Sequence, residues 1–178
     1  ANLTMSAIRN MTEGGWYTTT ERLGAPFGQN LNDFPAAGDF LHLSAIWLMT
    51  RFTSSPGLVL NLFFLGTYPI VWLGAYVGAR MLRLSRPVAF VVAMLYTFLP
   101  YHFQHGPSHL FLSSYWAVPL WVALYVRQLG DEPIVPAVTH PLSLASWARW
   151  VRAPGTLLAL AIVVCGATTG LYYAVFSV

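Results

Sequence analysis

The chain has 178 residues, of which 56% are hydrophobic and 8% charged, with a mean hydropathy of +0.57. A typical soluble domain is about 25% charged, so this is the composition of a membrane protein. The formal charge of +3 rests on nine arginines and no lysine, scattered singly or in threes between apolar runs; a nucleic-acid interface gathers its cations on one soluble face, so that partner class is excluded.

Neither a signal peptide nor an initiator Met opens the chain, and its far end, 171–178, stops in apolar sequence. It reads as a piece of a longer protein, whose remaining polypeptide is an expected partner. Cys165 is the only cysteine, so no intrachain disulfide forms. Asn2 and Asn10 each open a glycosylation sequon, a pattern too short to carry an argument.

Residues 1–55 hold no run long enough to cross a bilayer, and they carry Glu13, Glu21, Asp33 and Asp39, four of the six acidic residues. They read as an extracytoplasmic loop, most of it polar. Within it, 22–39 contains three glycines and two prolines, which rule out a regular helix and place Asn30, Asn32, Asp33 and Asp39 on irregular backbone. Such backbone faces water or a wet cavity, because unpaired peptide groups in hydrocarbon cost several kcal/mol each. From Phe40 to Phe52, Leu41, Ala45, Leu48, Met49 and Phe52 fall at helical spacing and predict an amphipathic helix lying along the membrane surface; a buried globular helix would give the same periodicity.

The uncharged run 56–79 predicts the first membrane span, with Gly74 and Gly78 as a small-xxx-small pair that admits a close helix neighbour. Three arginines at 80–86 mark a cytoplasmic connector by the positive-inside rule. Residues 87–101 form a second, short span ending in the polar stretch 101–109, and 110–126 return across the membrane. A second arginine-bearing connector, 127–154, has a proline-rich centre and a short interfacial helix at 144–151 with Trp147 and Trp150. Residues 155–178 form a fourth span with a Gly166-xxx-Gly170 pair. The fold expected is therefore all-α, a polytopic membrane helix bundle of about four transmembrane helices in 56–178, with an outer loop and a juxtamembrane amphipathic helix in 1–55.

This topology brings 22–39 and 101–109 to one outer surface. Asp33 and Asp39 can serve there as general base or cation ligand; the competing roles are a turn residue for Asp33 and a cap of the helix beginning at Phe40 for Asp39. His102, His105 and His109 are spaced at three and four, but Gly106-Pro107 interrupts the helix that would align them. They can donate hydrogen bonds to a phosphate, pack at the interface, or bind zinc, although no fourth zinc ligand is legible. No P-loop and no Gly-x-Ser-x-Gly nucleophile elbow is present.

The succession of motifs resembles a known superfamily. An outer loop reading Gly24-x-Pro-Phe-Gly-x-Asn30-x-x-Asp33-x-Pro35 is followed by an amphipathic helix, a span and an Arg-rich turn. A second span then ends in Leu99-Pro-Tyr-His-Phe103, before His109-Leu-Phe-Leu-Ser113. The chain resembles the early part of bacterial membrane glycosyltransferases of the GT-C superfamily, including YfhO-like relatives. The resemblance implies sugar transfer from a polyprenyl-phosphate donor at the outer face of the bacterial cytoplasmic (inner) membrane. Asp33 and Asp39 match the loop carboxylates as catalytic residues. Asn30, Asn32, His102, His105 and His109 are the substrate-binding candidates, the histidines facing the lipid phosphate. Cationic groups, or Mg²⁺ or Mn²⁺, would stabilise the departing phosphate. Two other classes compete: a lipid or sugar transporter or flippase, which should carry polar residues within its spans, and a non-catalytic assembly subunit using the glycine pairs as packing surfaces.

Overall fold

The computed structural model describes residues 2–21, 23–32 and 39–170. The chain is mostly helical. In order come α1 (Asn2–Thr12), a short antiparallel ladder of β1 (Thr19–Thr20) and β2 (Gln29–Asn30), α2 (Phe40–Met49), α3 (Pro56–Met81), α4 (Arg86–Thr97) and α5 (Pro100–His105). A 3-10 turn (Gly106–His109) leads to α6 (Val118–Leu129), α7 (Leu144–Arg152) and α8 (Pro154–Thr168).

The other helices are arranged around α3. Ser55 starts it: its hydroxyl accepts the Leu58 N–H at 3.4 Å, and Pro56 takes the first position, where a missing N–H costs nothing. At the other end the Leu84 N–H bonds to the Ala79 carbonyl and the Arg83 N–H to the Arg80 carbonyl. This is a Schellman turn with Arg83, at φ 64°, in the left-handed position usually given to glycine. At about 1.5 Å per residue, the 26 residues of α3 exceed the roughly 30 Å of a bilayer core. Among the described residues α3 is the one unbroken helix long and apolar enough to cross a membrane.

The expectation of four transmembrane helices is not met. The second expected span ends as α4 at Thr97 and restarts at Pro100; the third is helical only from Val118; and α8 is a 15-residue helix joined to α7 at a bend of 68°. Residues 171–178, the end of the fourth expected span, lie outside the described residues. Proline accounts for the breaks. Pro100, Pro107, Pro119 and Pro154 all sit in the first turn of their elements, because a proline lacks the N–H and disfavours helix in the residue before it.

Packing partners show how the chain runs along α3. Phe90 of α4 meets Trp72, Phe98 meets Tyr68, His102 meets Phe64, and Leu110 joins the core beside Val59. The chain then descends, with Trp116 against Gly74 and Pro119 against Gly78. A Cβ on Gly78 would lie 2.6 Å from the Pro119 carbonyl oxygen, and one on Gly74 closer still to that of Trp116. The glycine pair read from the sequence is therefore the seam between α3 and α6. Gly166 plays the same part for α8, meeting the indole of Trp121 on α6.

Both arginine connectors share one end of the bundle, where Glu132 pairs with Arg83 and, at 3.6 Å, with Arg127. At the other end, Ile8 and Met11 of α1, Leu43 and Ile46 of α2, and Val59, Leu60 and Phe63 of α3 form one core with Leu110. Residues 1–55 thus hold two helices and a short hairpin besides loop. Met5, Ile8 and Met11, spaced at three, put the apolar stripe of α1 on α3, a periodicity legible in the sequence. In α2 the core face is His42, Leu43 and Ile46; of the predicted stripe, Ala45 and Met49 pack against that core, while Leu41, Leu48 and the following Phe52 point outward. The helix is apolar on both faces rather than amphipathic.

Candidate functional site

The head formed by α1, the β1–β2 hairpin and α2 carries a polar cleft of about 640 Å³. Its frame is Asn10, whose carboxamide nitrogen donates to the Trp16 carbonyl and, at 2.8 Å, to that of Thr19, locking the hairpin onto α1. Thr19 pairs with Asn30 and Thr20 with Gln29 across the ladder. The connecting turn needs left-handed backbone at Gly24 (φ 73°) and Gly28 (φ 77°), and a Cβ on Gly24 would strike the Gly28 carbonyl. That turn holds Phe27 at the rim of the cleft with 96% of its surface exposed.

Glu13, Thr19, Thr20, Glu21, Gln29 and Asn30 line the cleft. The Gln29 Oε1 is shielded from solvent and accepts no hydrogen bond. The Asn30 Oδ1 accepts the Asn32 N–H at 2.9 Å, which closes a local turn. Carboxylates, carboxamides and hydroxyls around an exposed phenyl ring suit a hydroxyl-rich ligand, with acceptors and donors interleaved beside an apolar face.

Asp33 lies outside the described residues. Asp39 stands at the N-cap position of α2, yet its side chain makes no capping hydrogen bond; only its carbonyl accepts the Leu43 N–H. The helix-cap role is therefore not the one its carboxylate performs. Burial raises the Asp39 carboxyl to about 7, well above the ordinary carboxylate range. Tyr17 is its neighbour: that phenol is pushed up first by its own burial and then by the Asp39 charge. Trp16 lies tilted against Tyr17 at 4.8 Å and meets Phe40 and Trp47 edge-on, walling this side of the head with aromatic rings.

The three predicted histidines separate. His102 is fully buried: its Nε2 lies 2.9 Å from the Thr67 hydroxyl and its ring stacks on Tyr68 at 4.0 Å. His105 lies over the Tyr101 ring at 4.0 Å and faces His109 at 5.7 Å. None of them lines the cleft that contains Asn30. Among the described residues no group of three His, Cys, Asp or Glu side chains is placed to hold a metal ion.

His42 is a buried imidazole that sequence reading passed over. It stacks on Phe111 at 5.5 Å and meets Phe63 edge-on. Burial drives it down to about 4, and a backbone group of Thr169 opposes that shift, although neither ring nitrogen reaches hydrogen-bond geometry. It is neutral at physiological pH. Its position three residues after Asp39 on the core face of α2 was the available signal.

The Thr67–His102 contact gives a direct test. Thr67→Val preserves shape but removes the hydroxyl, leaving the buried Nε2 unpaired; a loss of about 1–3 kcal/mol is expected. Thermal unfolding of purified protein in detergent measures it, and an unchanged Tm would mean that the pair is not formed.

Comparison with protein-family models, curated proteins and solved structures finds no match.

Proposed function

We propose that this chain is the early part of a bacterial inner-membrane glycosyltransferase of GT-C type, with the polytopic fold that implies. It would transfer a sugar from a polyprenyl-phosphate-linked donor to an acceptor hydroxyl at the outer membrane face. The observation that carries this reading is Asp39: a half-buried carboxyl at the start of α2, free of a capping role and raised to about 7 by desolvation, is poised to exchange a proton at working pH. In the proposed step Asp39 takes the acceptor hydroxyl proton, the oxygen attacks the anomeric carbon, and the bond from that carbon to the lipid phosphate breaks. The phosphate leaves with the bonding pair. The cleft of Gln29 and Asn30 supplies polar groups for the sugar-bearing acceptor, and Asp33 is a second candidate base.

Membrane location is supported by what the helices leave uncovered. Leu62, Leu65 and Leu73 of α3, Val91 and Leu95 of α4, and Leu158 and Val164 of α8 are all exposed. Half-exposed as they are, each forgoes roughly 1 kcal/mol of burial in water, whereas hydrocarbon removes that cost. Sidedness is testable by thiol labelling in a Cys165→Ala background: Ser108→Cys should react with an impermeant reagent in intact cells and Ser85→Cys should not. The reverse pattern would put the head on the cytoplasmic side.

One observation favours a second reading. A transporter should carry polar residues within its spans, and His102 is held against Thr67 near the middle of α3. A buried imidazole at that depth is a feature of transporters. Sugar transfer assayed with the purified full-length protein and polyprenyl-phosphate donors separates the two. Turnover that falls in Asp39→Asn or Asp33→Asn supports the transferase; substrate uptake into vesicles without turnover, abolished in His102→Phe, supports transport.

A further inference from the structure

Beyond any transfer chemistry, α7 divides its surface into three sectors. At 100° per residue, Ser146 and Trp150 share one side, Leu144, Trp147, Ala148 and Val151 a second, and Ala145, Arg149 and Arg152 a third.

The first sector faces the protein. Ser146 is buried, and its hydroxyl lies 3.2 Å from the Thr139 hydroxyl while accepting the His140 N–H at 3.2 Å. The Trp150 indole donates to the Pro136 carbonyl, and Trp147, at the edge of the second sector, donates to that of Pro141, both at 2.8 Å. These bonds fix α7 rotationally on the proline-rich strap before it. The second sector is then apolar and uncovered, with Leu144 88% exposed and Trp147 and Val151 also open. The third sector is basic, and among the described residues neither Arg149 nor Arg152 has an acidic partner, since Glu132 is taken by Arg83 and Arg127. The 68° bend into α8 lays α7 across the end of the bundle rather than along it.

Charge is segregated in the same sense. Residues 80–152 carry six arginines against Asp131 and Glu132, a formal +4, while residues 1–55 carry three arginines against four acids, a formal −1. A helix with an apolar sector beside an unpaired basic sector, set at 68° to an apolar helix, fits an interface between hydrocarbon and anionic headgroups.

We propose that α7 is an in-plane foot that binds anionic phospholipid in the leaflet at the arginine-rich end. The apolar sector enters the acyl region, and Arg149 and Arg152 hold headgroup phosphates through charge-assisted hydrogen bonds. The occupant is lipid rather than another protein, because the apolar and cationic sectors are contiguous along one short helix whose remaining side is already bonded internally.

The test uses the full-length protein in nanodiscs of phosphatidylcholine, with or without phosphatidylglycerol. Leu144→Cys, in a Cys165→Ala background, carries an environment-sensitive fluorophore. Phosphatidylglycerol is expected to shift its emission to the blue, and salt to weaken the shift. Arg149→Gln with Arg152→Gln is expected to abolish the response, and Arg149→Lys with Arg152→Lys to retain it. Arg86→Gln, at the same end but outside α7, should leave it unchanged. Equal emission in the two lipids for the otherwise unaltered chain overturns the proposal. So does a response that survives loss of both α7 arginines, or one lost equally in Arg86→Gln. Sugar transfer is not read at any point, so this outcome is independent of the catalytic reading.

Discussion

Asp39→Asn is expected to lower sugar transfer by about 10²-fold or more, the scale for loss of a general base, while the protein still inserts and folds. Asparagine is nearly isosteric and equally suited to an N-cap position, so structure should be kept while proton exchange is lost. The pH profile gives a sharper signature. A base must be ionised, so with Asp39 titrating near 7 transfer should rise as pH increases through about 7 and then level off. The residual activity of the asparagine variant should lack that step. Stability moves the opposite way. The folded carboxyl binds its proton more tightly than the unfolded one, so its contribution is fully present below the ordinary value of 3.8 and is lost as pH rises through about 7. Asp39→Asn should therefore raise Tm relative to the parent protein at pH 8 and not at pH 4. Unchanged turnover in a folded variant would remove Asp39 from the chemistry and leave Asp33 as the remaining loop candidate.

Gly74→Ala should destabilise the bundle by about 3 kcal/mol, at the upper end of overpacking costs. The added methyl meets the Trp116 carbonyl, which belongs to backbone fixed by the approach of α6 and cannot swing aside as a side chain would. Gly78→Ala should do the same more mildly against Pro119, where the gap is 2.6 Å. Gly66→Ala is the internal comparison. Nothing lies within 4 Å of its Cβ, so the better helix propensity of alanine should leave stability unchanged or raise it by roughly 0.5–1 kcal/mol. Unfolding in mixed micelles measures all three. Equal effects at Gly66 and Gly74 would mean that helix propensity, and not the α3–α6 seam, controls the response.

The sequence alone determined features that depend on local pattern. An uncharged run of sufficient length can only be a helix in hydrocarbon, so α3 was legible, as were its proline start and arginine-rich end. The Gly74–Gly78 pair was legible because close helix approach needs small residues at that spacing, whatever the partner. Run length alone predicts four spans; the prolines that interrupt the later ones show their effect only in the structure. The tertiary structure alone decided which polar groups share a site. His102, His105 and His109 look equivalent in the sequence, yet one turn of chain sends His102 into the interior beside Thr67 and leaves His105 on the Tyr101 ring with His109 beside it. Asp39 reads as a helix cap until its surroundings show a desolvated carboxyl beside Tyr17 with no capping bond. Asn30 faces a cleft with Glu13 and Gln29 rather than the histidines, because Asn10 pins the hairpin to α1. Burial and desolvation arise from neighbours remote along the chain, and they set both the charge state and the reach of a polar side chain; no periodicity within one segment encodes them.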